Sequence, residues 1–106
     1  MTATSPRFRR APQVQVDIGS GLVALKLPPE LSGQLRRAAV SVINNTKEGS
    51  ARRTWPDRRR FYDIAFASAK ECQGILDTGK VRDPVVLDRS DHLGACLYKM
   101  ARSRRS

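Results

Sequence analysis

The chain has 106 residues, of which 20 are Lys or Arg and 10 are Asp or Glu, leaving +10 at neutral pH. That length fits one domain with a small core and is too short for a doubly wound sheet or a (β/α)8 barrel. Hydrophobic residues make up 40%, enough for a globular core, but no apolar run approaches the ~20 residues that span a bilayer.

Fifteen of the 20 basic residues are arginine. Guanidinium forks grip phosphate in bidentate fashion, whereas an ammonium group acts as a point charge. A surplus of this size and type points to a polyanionic partner.

Residues 1–12 hold Ser, Thr and Pro together with Arg7, Arg9 and Arg10, a composition that reads as a disordered basic arm. No apolar core of signal-peptide type follows, so the cytoplasm is the expected compartment. Two cysteines, Cys72 and Cys96, suit a reducing compartment, and their spacing does not predict a metal site.

Residues 13–27 are ambiguous. Val14, Val16 and Ile18 alternate, Gly19-Ser20-Gly21 intervenes, and Leu22 to Leu27 is apolar-rich. Local signals favour a β-hairpin, whereas three helices elsewhere favour a short fourth helix.

The next three segments have helical period. Pro28-Pro29 opens a helix running to Glu48, with Leu31, Leu35, Ala38, Ala39, Val42 and Ile43 forming its stripe and Gly49 as the stop. Thr54-Trp55-Pro56-Asp57 starts a helix to about Asp77. Its apolar face reads Phe61, Ile64, Ala65, Ala69, Cys72 and Leu76, with Tyr62 and Phe66 beside it. Asp77-Thr78-Gly79-Lys80 supplies the stop. Asp83-Pro84 opens a last helix to about residue 102, with Val86, Leu93, Leu97 and Met100 inward. Residues 103–106 form a basic tail.

Two stretches carry a family resemblance. One is Gln34-Leu35-Arg36-Arg37-Ala38-Ala39-Val40-Ser41-Val42, followed by Asn45 and by Glu48-Gly49-Ser50-Ala51-Arg52-Arg53. The other is Phe61-Tyr62-Asp63-Ile64-Ala65-Phe66-Ala67-Ser68-Ala69-Lys70-Glu71. Together they resemble the bacterial four-helix-bundle proteins encoded within intervening sequences of large-subunit ribosomal RNA genes. The accessory variability determinant of diversity-generating retroelements shares that fold. The resemblance implies an all-α, up-down four-helix bundle over residues 13–102 that assembles as a homopentamer. For the retroelement relatives it also implies binding of nucleic acid and of a reverse transcriptase. It carries over no catalytic residue and no cofactor. Gly19-Ser20-Gly21 departs from the family pattern, so the first helix is expected to be short or irregular.

The densest functional signal lies within 47–60. Lys47, Arg52, Arg53, Arg58, Arg59 and Arg60 face only Glu48 and Asp57 there. Trp55 sits inside the cluster, where an aromatic face stacks on an unpaired base. Arg36 and Arg37 either extend this patch or pair with Glu71 or Asp63 across the bundle. Phe61 and Phe66 are five positions apart and cannot both face one core, so one of them, or Tyr62, is a candidate for a subunit interface. His92, the only histidine, lacks an evident partner, and the two cysteines read as buried and inert. The expected function is therefore non-enzymatic: an oligomeric protein that binds nucleic acid, RNA or DNA and in particular RNA or single strands, through its arginine-rich surface, without a membrane. The alternative is a protein-binding scaffold or accessory subunit.

Overall fold

The computed structural model describes residues 6–25 and 27–103, with side chains from residue 11 onward. Four helices follow one another: α1 (Pro6–Val23), α2 (Pro29–Ala51), α3 (Trp55–Thr78) and α4 (Pro84–Arg102). Each helix packs on its chain neighbours and α1 closes onto α4, while the diagonal pairs do not meet among the described residues. The connections are short, and paired residues run in opposite directions, as Gly49–Tyr62 and Ser41–Ser68 show for α2 and α3. The molecule is an up-down four-helix bundle.

The core is built mainly from α2, α3 and α4. Leu35, Ala38, Ala39 and Val42 meet Tyr62, Ala65, Ala69, Cys72, Ile75 and Leu76, and Leu93, Leu97, Met100 and Ala101 close the far side. Alanines along α2 and α3 leave little between the two backbones, which favours close packing. Ser41 Oγ and Ser68 Oγ lie 2.7 Å apart across that seam, and Asn45 Nδ2 donates to the Ser41 carbonyl at 2.8 Å. The latter bonds satisfy polar atoms that the alanine layer alone would leave unpaired.

Three readings of the sequence change. Over the described residues a helix stands where the sequence reads as arm and hairpin: α1 starts at Pro6 and runs 18 residues through Pro12 and Gly19-Ser20-Gly21. Residues 1–5 lie outside the described part. Local propensity is overridden because the bundle needs a fourth wall, and α1 supplies Val16 and Leu22 to it. Gly19 sits against α2, where an added Cβ would fall 2.9 Å from Ile43 Cγ1.

Second, α2 does not stop at Gly49 but continues to Ala51. Gly49 serves space rather than a turn. A Cβ there would lie 2.5 Å from Tyr62 Cε1 and 2.7 Å from its Cδ1. Third, α3 is rotated from the expected phase. Tyr62 is fully buried, whereas Ile64 is 42% exposed and Phe61 is only half-buried and lies outside the core cluster. The space left by Gly49 admits the Tyr62 ring, and that contact sets the phase.

The α3–α4 turn is closed at both sides. Val81 N–H donates to the Leu76 carbonyl and Lys80 N–H to the Asp77 carbonyl, both at 3.0 Å. This double bond is the Schellman pattern, and its left-handed residue is Lys80 at φ 53°, not the neighbouring Gly79. Asp83 then caps α4, accepting from Val85 N–H at 2.9 Å and Val86 N–H at 3.4 Å.

Candidate nucleic-acid interface

The topology decides where the charge goes. In an up-down bundle the α2–α3 turn, the start of α1 and the end of α4 share one end. The α1–α2 and α3–α4 turns occupy the other. Dividing the described chain at the level of the Ser41–Ser68 pair, near which Gly19 meets Ile43, puts residues 6–21, 41–69 and 93–103 on the first end, with eleven basic and four acidic residues. Residues 22–25, 27–40 and 70–92 hold six of each. The basic segments that stand apart in sequence thus converge on one end of the bundle. Arg104 and Arg105 of the tail lie outside the described residues.

The turn itself is short. The α2 C-cap is Arg52 and the α3 N-cap is Thr54, whose hydroxyl accepts from Asp57 N–H at a long 3.4 Å. Arg58 reaches back, and its Nε donates to the Arg52 carbonyl at 2.7 Å. That carbonyl is one of those a helix C-terminus leaves without an intrahelical partner. Arg58 therefore fastens the turn instead of facing solvent as a free cation.

The other cations of the cluster are held more loosely. Arg52 makes a short pair with Glu48 at 2.6 Å. Arg59 and Asp63 are 3.7 Å apart and Arg60 and Asp57 3.9 Å, all well exposed. Exposed pairs of this kind contribute about 0.3–0.5 kcal/mol, little enough for a phosphate to displace them. Lys47 and Arg53 are exposed and form no ion pair among the described residues.

Phe61 organises two of these cations. The guanidinium carbons of Arg52 and Arg60 each lie 4.7 Å from its ring centroid. The ring faces attract cations, so two guanidinium groups from either side of the turn are held no farther apart than twice that distance. Sequence reading does not find this pairing, because Arg52 and Phe61 meet only across the turn.

Trp55 opens α3 and is half-buried. With Pro56, Arg59, Arg60, Asp63 and Ile64 it lines an open hollow of about 540 Å3. Trp55, Pro56 and Ile64 give it apolar lining, and two arginines and one carboxylate give it charged groups.

Other expected site residues fall elsewhere. Arg36 and Arg37 are exposed on α2, more than two helical turns before Lys47, so the structure does not bring them to the turn. Nor do they pair with Glu71 or Asp63 among the described residues, since Asp63 takes Arg59. Tyr62 cannot serve a subunit interface, because its side chain is enclosed in the core against Gly49. Burial pushes its phenol pKa up, partly opposed by the nearby charge of Arg58. Phe66 is half-buried, with its ring edge-on to Tyr98 at 5.6 Å between centroids.

The cysteines also divide. Cys72 is buried, and burial with the neighbouring Glu71 charge raises its thiol to about 11. Cys96 is not buried, and its Sγ lies 3.3 Å from His92 Nε2 on the outer side of α4. The two are four residues apart, a spacing that places side chains on one helix face. No group of three or more metal-ligating side chains occurs among the described residues.

Fold and surface together define a class, the up-down four-helix bundle with arginine gathered at one end. The family profile of the 23S rRNA-intervening sequence proteins matches residues 25–102. The chain belongs to that family. The matched span covers α2, α3 and α4 and begins after α1. No curated protein and no solved structure matches the chain. No helix among the described residues is long and apolar enough to cross a membrane.

Proposed function

We propose that the protein is a non-catalytic nucleic-acid-binding protein of the cytoplasm that docks the phosphate backbone on the basic end of its bundle. The observation that carries this reading is the convergence of charge: eleven basic residues against four acidic on one end, six against six on the other. Lys47, Arg52, Arg53, Arg59 and Arg60 are the contact residues, and Arg58 supports the turn. Three arginines in the first turns of α3 oppose the helix dipole at roughly 0.3–1 kcal/mol each, and a bound polyanion reverses that penalty.

Titration with RNA and DNA oligonucleotides across a salt series tests this. Counterion release gives a log–log slope of about 0.7 per phosphate contact on a single strand. Replacing Arg52, Arg53, Arg59 and Arg60 with Ala is expected to reduce that slope by about 3. An unchanged slope removes these residues from the interface.

A second reading is favoured by a separate observation. Phe66 and Tyr98 line a groove of about 360 Å3 between α3 and α4, and Ile64 and Val85 are exposed elsewhere on the same two helices. These apolar surfaces suit self-association, five-membered if it follows the relatives described above, or an accessory role toward a protein such as a reverse transcriptase. Phe61 is less suited to such a contact, because two guanidinium groups lie over it. Light scattering of the full chain separates the cases: a monomer at micromolar concentration removes self-association.

A further inference from the structure

We propose that the Trp55 hollow is a pocket for one unpaired nucleobase, so that the strand bound at this end is single at that point. The inference rests on the nucleic-acid reading above and adds the class of ligand. A nucleobase has two apolar faces, a polar edge and a phosphate-bearing sugar. The hollow offers a counterpart to each.

Part of its lining is apolar. Trp55 at the first position of α3 and Pro56 at the second stand beside Ile64, which is 42% exposed on the outer face of the helix. A half-buried indole beside a proline ring and a branched aliphatic chain leaves part of its face open as a stacking platform, and every base has a face that fits one. The rest of the lining supplies the polar groups. Arg59 and Arg60 reach for the flanking phosphates, while Asp63 accepts an N–H from the base edge.

The ion pairs of Arg59 and Arg60 are suited to this exchange. Arg59–Asp63 at 3.7 Å exceeds hydrogen-bond length, and both side chains are about half exposed. When a phosphate draws Arg59 away, little is lost, and the Asp63 carboxylate is freed for the base. Arg60 is held similarly, 3.9 Å from Asp57 and over the Phe61 ring. A duplex does not satisfy the hollow, because its base faces are already stacked on one another. It meets only the arginines.

Trp55 is the only tryptophan in the chain, so intrinsic emission reports on this hollow alone. The full chain is titrated with a single-stranded oligonucleotide, with the same sequence as a duplex, and with an abasic strand of equal length. The expected result is saturable quenching by the single strand, and salt-dependent binding of the duplex and abasic strand without quenching. Trp55→Ala weakens single-strand binding about 5- to 150-fold and leaves duplex binding unchanged. Trp55→Phe retains most of the affinity and covers the case in which the alanine variant loses helical signal. Salt-dependent binding of the single strand with no quenching, or equal quenching by the abasic strand, overturns the base pocket and leaves the phosphate surface standing. Failure of all three ligands to bind overturns both.

Discussion

The two ends of the bundle are built to different standards. At the far end the α3–α4 turn is closed by capping bonds on both of its sides, although its left-handed residue is Lys80 and α2 starts there without a side-chain cap. The α3 C-terminus closes with both bonds of the Schellman pattern, and Asp83 caps two N–H groups of α4. At the turn end the Thr54 cap is long, and three arginines stand at the positive pole of α3. Of five buried side-chain N and O atoms without a hydrogen-bond partner among the described residues, four belong to this end: Gln15 Oε1, Thr46 Oγ1, Arg52 Nε and Tyr62 Oη. Only Ser90 Oγ lies elsewhere. Sequences usually violate local rules where a surface is kept for something other than stability. The contrast thus points to the same end as the charge.

The largest effect tests the shared core between the ends. Cys72 has a pKa raised from the ordinary 9.0 to about 11 in the folded chain. Its contribution is intact below pH 9. It is lost as pH rises from 9 through 11, because the unfolded chain releases the proton first. The loss is about 2–3 kcal/mol, and the raised Tyr62 phenol acts in the same direction. Urea midpoints at pH 8, 9.5 and 11 are expected to fall, and to fall less for Cys72→Ala. An identical fall in both shows that Cys72 is not the cause.

At the turn end, Gly49→Ala sets a methyl group against the enclosed Tyr62 ring. Alanine gains helix propensity of about 1 kcal/mol, but overpacking a rigid ring costs about 1–3 kcal/mol. A net loss of about 1 kcal/mol in chemical denaturation is expected. Increased stability in Gly49→Ala would sink the account of Tyr62 packing.

At the far end, Lys80→Gly relieves a left-handed backbone and is expected to stabilise by about 1 kcal/mol. A lower melting temperature in that variant contradicts the turn described here. The smallest effect compares the caps directly. Asp83→Ala costs about 1 kcal/mol, and Thr54→Ala only a few tenths, because its bond is 3.4 Å long. Equal losses would erase the difference between the ends.

The sequence reveals α2, α3 and α4 to within a few residues, since Pro28-Pro29, Thr54 and Asp83 mark their starts and apolar period marks their faces. It conceals α1, where Pro12 and Gly19-Ser20-Gly21 argue locally against a helix that only packing supplies. It also misses by one position which aromatic enters the core, because Phe61 and Tyr62 compete and the decision rests with Gly49 on another helix. The arginine cluster is legible as charge. That Arg58 turns inward to a carbonyl, and that the first and last helices bring their own cations to the same end, follows from topology and not from any local motif.

That topology has a practical reach. The described chain enters at Pro6 and leaves at Ser103 on the basic end. A purification tag or fluorophore joined at either point stands beside the proposed binding surface, and a polyhistidine or acidic tag there competes with or screens the ligand being measured. A label in the 79–83 turn sits at the opposite end, so immobilisation through that turn presents the arginines to solution. The choice of attachment point therefore determines whether a binding assay observes this surface or obstructs it.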